Sequence, residues 1–337
     1  MYDDGHERED VVAYHKEVFL PFLKSVESRL MEWNEDLLPN PTDQVLSDEL
    51  QPLIMVRHDE CTFNANDGTR FVWTDEEYNP IRKKGRGQGL HVSERVTPIG
   101  RLGGGRVCEI LKCGGDIWWD GVKLLDQVLT KAIPVFEEEF PGCQGLFMFG
   151  NATSHMKYAE DALRVTKRNL EDGGKNAKIM RSTVIADDAH PERGWWQSIV
   201  RADGTLKGLR AVLTERNLWP SGGPRFLTQC SIKSSSGKSK LNSKCLKGSN
   251  CCASGLLALQ PDFKAQKGEL QEAIEKVGHL VLFYPPFHCE LNFIEYFWGA
   301  AKRYTRENCE YDFPSLKRLV PEAMNQIPNQ LIWKYAR

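Results

Sequence analysis

The chain has 337 residues, 41% of them hydrophobic and 27% charged, with 44 Lys and Arg against 46 Asp and Glu for a net charge of −2. That length suits one large domain or two ordinary ones with a substantial core, and near-neutrality excludes nucleic-acid binding by bulk charge alone. No stretch approaches the ~18 to 20 apolar residues that cross a bilayer, so no membrane role is expected.

The opening "MYDDGHERED" is polar and acidic and fits neither a secretory nor a transit peptide. Ten cysteines at irregular spacing then read as reduced thiols, and an intracellular location is expected. Residues 11–33 place Val12, Tyr14, Val18, Phe19, Phe22, Leu23 and Val26 in a helical stripe. Residues 1–50 are therefore expected to be a linker or docking helix region, and 51–337 the main domain. "QPLIMVRHDECTF" (51–63) reads as a strand, with "TRFVWT" (69–74) as its hairpin partner across an Asp-Gly turn signal. Residues 90–96 and 105–110 make two more short strands.

Residues 120–140 are amphipathic at helical period and end at Pro141-Gly142. A strand at 146–149 follows, then a helix around 156–168. A long irregular insertion is expected around 171–260, including the Ser/Lys-rich run 231–249. Helix 261–278 closes at Gly278, strand 279–286 ends in two prolines, and helices cover 290–307 and about 314–326. An antiparallel meander followed by alternating helices and strands predicts an α/β fold, an RNase H-like mixed sheet flanked by helices.

Charge distribution says more than the sum. Residues 81–106 carry Arg82, Lys83, Lys84, Arg86, Arg95, Arg101 and Arg106 against Glu94 alone, and 231–249 carry five lysines and no acid. Such segments either track phosphates or form solvated loops.

Three places can present chemistry from this sheet. Asp59 and Glu60 stand inside a strand, where ionised groups are costly unless paired, metal-bound or at an opening. Glu290 follows a strand and a diproline turn, at the expected first turn of a helix, where the dipole favours a carboxylate. The third place is the end of "LFMFGNATSH" (146–155), where an apolar run delivers only Gly150. Carboxylates converging on a sheet edge would form a hard oxygen site for Mg²⁺ or Mn²⁺, able to act on a phosphodiester.

The blocks "HDECTF", "FGNATSH" and "FHCELNFIEYFWGAAKRYTRENC" resemble those of the DDE superfamily endonucleases, the mariner-like transposase catalytic domain. The resemblance runs from about residue 50 to the C-terminus, and it implies a metal-dependent DNA endonuclease. In it, Asp59 and Glu290 are the catalytic, metal-binding carboxylates, with Asn151, His155, Asn292 and Glu295 in support. Gly150 occupies the position of the second metal-binding aspartate, so activity is expected to be lost or strongly impaired. Mg²⁺ or Mn²⁺ is the implied cofactor, DNA the partner, a homodimer a candidate assembly and the nucleus the location. Arg82, Lys83, Lys84 and Arg86 are candidate DNA contacts. The alternative is a domesticated non-catalytic module that binds nucleic acid or protein. The residues ahead of the first strand read as one linker helix, so no helix-turn-helix reader is expected among them.

Cys230, Cys245, Cys251 and Cys252 lack the paired C-x₂-C spacing of common zinc sites. The Trp pairs 118–119 and 195–196 read as packing residues, and the glycine-rich "RLGGGR" and "GRGQG" lack the context of a nucleotide cradle.

Overall fold

The computed structural model describes residues 5–40, 50–69, 83–114, 118–175, 177–185, 193–220, 227–233, 239–241 and 248–337. The chain divides into two compact units, residues 1–157 with 269–337 and residues 158–268.

The first unit is built on a six-stranded sheet of β1 (Leu53–Asn64), β2 (Gly89–Thr97), β3 (Gly100–Arg101), β4 (Glu109–Lys112), β5 (Gln144–Phe149) and β10 (Leu280–Phe283). The order is β10-β5-β1-β2-β3, with β4 on a separate stretch of β2. β1 runs antiparallel to β2 but parallel to β5, which in turn is parallel to β10. This is the expected RNase H-like mixed sheet flanked by helices.

Parallel strands covered on both faces need apolar side chains at nearly every position. "LIMV" and "LFMF" supply them, which is why β1 and β5 are central. One face of the sheet carries Ile54, Val56, Phe147, Phe149 and Val281. They pack on Leu124, Val128 and Phe136 from α3 (Gly121–Gln127), a π-turn (Val128–Ala132) and α4 (Ile133–Glu139). Asp120 caps α3, accepting from Val122 N and Lys123 N at 3.0 Å. The other face presents Leu53, Leu146, Met148 and Leu282 to Phe19 and Val26. Those two belong to the N-terminal helical run of α1 (Glu9–Tyr14), a π-turn (His15–Phe19) and α2 (Leu20–Val26). Each π-turn precedes a proline at the start of the next segment, Pro21 or Pro134. A ring that removes an N–H and crowds the preceding carbonyl accounts for that widening. The N-terminal helical run is thus part of the sheet's core.

Among the described residues, four further helices belong to this unit: α8 (Glu269–Lys276), α9 (Ile294–Glu307), α10 (Phe313–Asn325) and α11 (Asn329–Ala336). Ile294, Phe297 and Trp298 of α9 cover Cys61 and Phe63 at the far end of β1. Gly278 ends the helix before β10 at φ +91°, as its place in the sequence predicts.

The second unit has its own apolar core. Leu209, Val212 and Leu213 of α5 (Leu209–Glu215) meet Ala253 and Leu257 of α6 (Ala253–Ala258), with Ile199 and Phe263 alongside. Phe263 lies on α7 (Pro261–Lys264). Fully buried Arg216 is satisfied by Asp262 at 2.8 and 2.6 Å and by Gln197 at 2.8 Å. Three short strand pieces, β6 (Thr183–Val184), β7 (Trp196–Gln197) and β8 (Ser231–Lys233), and a fourth, β9 (Ser239–Leu241), form two small ladders. The stretch expected as an irregular insertion at 171–260 therefore includes a packed core, and the compact unit extends to 158–268.

The expected hairpin partner of β1 at 69–74 lies, beyond Thr69, outside the described residues; β1 pairs with β2 along Arg57–Asn64 and with β5 along Leu53–Arg57. Two local expectations are corrected. Residues 156–168 hold only a single 3₁₀ turn at Val165–Lys167. Their buried apolar residues, Ala162 and Leu163, are adjacent and make no helical stripe. Their backbone also bonds elsewhere: Arg181 N donates to Asp161 O at 2.7 Å and Leu163 N to Gln266 Oε1 at 2.9 Å. Finally, Glu290 stands in a 3₁₀ turn (Cys289–Leu291) ahead of α9. Extended backbone at Asn292 separates the two, so the acid in the first turn of α9 is Glu295. Among the described residues, no helix is long and apolar enough to cross a membrane.

Candidate active site

Side chains alternate along a strand, so the consecutive acids Asp59 and Glu60 of β1 leave on opposite faces. Asp59 shares its face with Leu53 and Met55 and points toward α9, where Trp298 Nε1 donates to its Oδ2 at 3.0 Å. Burial, and then the nearby negative charge of Glu295, push the Asp59 carboxyl up to about 7.

Glu60 faces the other way. Its Oε1 accepts from Trp119 Nε1 at 2.9 Å and lies 3.1 Å from His155 Nε2. Burial alone would raise this carboxyl, yet the surrounding imidazoles hold it down to about 2. Burial, with Arg95 beside it, keeps His58 well below its ordinary range. Among the groups that lower the Glu60 carboxyl, His58 comes first and the bond and charge of His155 follow. His155 is drawn upward: burial opposes its charge, but the Glu60 bond outweighs it. A buried imidazolium–carboxylate pair results.

The same ring fixes the end of β5. His155 Nδ1 donates to Gly150 O at 2.7 Å, and His155 N donates to Ala152 O at 3.0 Å. "GNATSH" is thereby folded into a closed turn. Gly150 is not among the glycines with positive φ, so its backbone is one that any residue adopts. A Cβ built there meets nothing nearer than His155 Cε1 at 4.0 Å. Position 150 continues the face of Leu146 and Met148. With Arg57 opposite Met148, two further residues of that register bring Gly150 level with Asp59.

Glu290 is exposed. It is bonded to His288 Nδ1 at 2.6 Å, with His6 Nε2 at 4.0 Å. Burial raises its carboxyl, but the His288 bond leaves it below the usual value. Asn292 is buried and ties three elements together. Its Nδ2 donates to His58 O of β1 at 3.1 Å, and its Oδ1 accepts from Tyr284 OH at 3.2 Å. Arg57 donates to Leu291 O and stacks 4.5 Å from the Phe293 ring. Asn151 Nδ2 reaches Tyr284 O at 3.4 Å.

A divalent ion at Asp59 needs further oxygen donors. Among the described residues, three groups bring three ligand atoms within 4.8 Å of one another: His58–Glu60–His155, His6–His288–Glu290 and Cys230–Cys251–Cys252. Asp59 belongs to none of them. Its carboxyl is held near half-protonation at neutral pH, with Glu290 engaged by histidines. The side chains present do not make a complete hard-oxygen cage around Asp59.

Of the expected DNA contacts, Lys83, Lys84 and Arg86 are exposed on the loop from β1 to β2. Lys83 Nζ donates to Tyr311 O at 2.6 Å. Arg82 lies outside the described residues. Sequence reasoning read Trp119 as a packing residue and gave Trp298 no part in the site; their indole N–H groups fix the two acids. A pair of adjacent tryptophans signals packing, not which carboxylate an N–H will meet.

No family model matches the chain, and no curated protein matches it. Among solved structures, it is similar to a Mos1 transposase paired-end complex with left transposon end, at 10% identity and a TM-score of 0.41. That match covers 84% of this chain and 51% of the other. A Mos1 mariner paired-end complex with Mn gives 11% identity, the same coverage and a TM-score of 0.41. The Mos1 strand transfer complex gives 10%, 86% and 52% coverage, and 0.38. The chain spans about half the length of the chains it matches.

Proposed function

We propose that this chain is a transposase-derived DDE endonuclease domain that acts on DNA, with a catalytic centre disabled by the loss of one carboxylate at position 150. The three sequence blocks support the family. The observation that carries the rest is the geometry of Gly150: ordinary backbone, open space for a Cβ, and a place on the Asp59 face. The turn does not require glycine there, so the position can accept an aspartate without refolding.

Asp59 and Glu290 are the remaining carboxylates of the proposed set, and Asn292 and His155 position the strands and turns that carry them. The implied Mg²⁺ or Mn²⁺ would stabilise charge on the scissile phosphodiester, an effect of several kcal/mol. Losing roughly 4 kcal/mol of it corresponds to about a thousandfold in rate. The exposed Lys83, Lys84 and Arg86 are the proposed phosphate contacts, and the DNA-bound form is proposed to act in the nucleus as a homodimer.

The test is a metal-dependent nicking assay on supercoiled DNA, with the native chain beside Gly150→Asp. The expected result is a gain of about a thousandfold in the variant. Equal, robust cleavage by both chains would remove the proposed defect. Salt-sensitive DNA binding without cleavage by either chain would favour the non-catalytic binding module.

A further inference from the structure

The second unit contains a site of different chemistry. Cys230 lies in segment 227–233, and Cys251 and Cys252 stand directly ahead of α6. Their three Sγ atoms all lie within 4.8 Å of one another, and those of Cys230 and Cys251 are 3.4 Å apart. Backbone bonds hold the two segments in place: Ala253 N donates to Leu227 O at 2.9 Å and Ser254 N to Thr228 O at 3.0 Å. Ala253 and Leu257 root α6 in the apolar core, so the sulfurs are presented from anchored backbone. Cys252 is fully buried, and its Sγ accepts from Gly255 N at 3.4 Å.

We propose that Cys230, Cys251 and Cys252 bind a zinc ion that staples this unit. Tetrahedral zinc with Zn–S bonds of ~2.3 Å sets its sulfurs about 3.8 Å apart, within the span found. Thiolates select zinc over the hard cations that carboxylates prefer. An N–H aimed at a sulfur, as from Gly255, is the outer bond that steadies a metal-held thiolate. A disulfide would engage only two of the three sulfurs and would need them at ~2.05 Å. On binding, each thiol gives its proton to solvent as its Zn–S bond forms, and no oxidant is required. One tetrahedral position stays for a further donor. In sequence, the ion ties off residues 231–250, which carry five lysines and no acid.

The full chain, purified in reductant with zinc supplied, should carry one zinc per chain by elemental analysis. With cobalt in its place it should show intense thiolate-to-cobalt charge transfer and the visible bands of tetrahedral geometry. Cys251→Ser and Cys230→Ser should each lose the bound metal and the bands. Cys113→Ser, in the first unit, should keep both. Circular dichroism on each variant separates metal loss from misfolding, and the cobalt spectrum of the unaltered chain stands even where a variant fails to fold. A metal-free native chain without charge transfer, bands that survive in both cysteine variants, or a Cys230–Cys251 disulfide under these conditions would overturn the proposal.

Discussion

Replacing Asp59 by Asn should stabilise the protein, and only above a definite pH. The Asp59 carboxyl moves from 3.8 to about 7 in the fold, chiefly through burial and secondarily through Glu295. The folded state therefore holds its proton more tightly than the unfolded chain does. Stability from this group is complete below pH 3.8 and is lost as pH rises toward 7. About three pKa units at 1.36 kcal/mol each set a ceiling of roughly 4 kcal/mol. Asn keeps an oxygen for the Trp298 N–H at 3.0 Å and carries no charge. Urea unfolding followed by circular dichroism at pH 8 should show Asp59→Asn more stable by about 2–4 kcal/mol. At pH 3.5 the two proteins should be indistinguishable. A destabilised variant at pH 8, or an equal gain at both pH values, would refute the reasoning.

Three other outcomes follow from the same site. Glu60 is held down to about 2 from 4.5, so its contribution is present above pH 4.5 and disappears as pH falls toward 2. His155→Gln should shrink that acid-sensitive component in a pH titration of unfolding. Asn292→Ala removes a buried link between β1, Tyr284 and the turn that carries Glu290, and should cost about 2–3 kcal/mol by denaturant unfolding. Lys84→Glu with Arg86→Glu should weaken DNA binding and flatten its salt dependence, by about one unit of slope for each phosphate no longer neutralised.

Much of the sheet was legible because periodicity reports local burial. β5, β10 and the 121–139 helix follow from apolar runs bounded by turn residues, and β2 from its run at 90–96. Pairing is non-local: β1 pairs with a strand 25 residues further on, Asn64 opposite Gly89, a register that no local signal carries. Residues 156–168 contain good helix formers, but with no apolar stripe to bury, side-chain and backbone bonds to distant residues prevail. The 158–268 core was not legible because it joins segments far apart in the chain.

At the site, the sequence blocks pointed to Asp59, Gly150 and Glu290, but not to what each touches. That Asp59 meets Glu295 and Trp298, while Glu290 meets His288, depends on the break at Asn292 between the 3₁₀ turn and α9. His155 likewise bonds two partners, Gly150 O and Glu60, on elements brought together only by the fold. The cysteines show the same limit. Spacing along the chain argued against a cluster that backbone pairing between 227–228 and 253–254 assembles.

Manganese binding tests the central claim most directly. Electron paramagnetic resonance titrations would compare the native chain with Gly150→Asp and with Gly150→Asp combined with Asp59→Asn. A restored carboxylate beside Asp59 predicts a tight Mn²⁺ site in Gly150→Asp alone, absent from the native chain and lost again in the double variant. Tight Mn²⁺ binding by the native chain, or none in Gly150→Asp, would contradict the account.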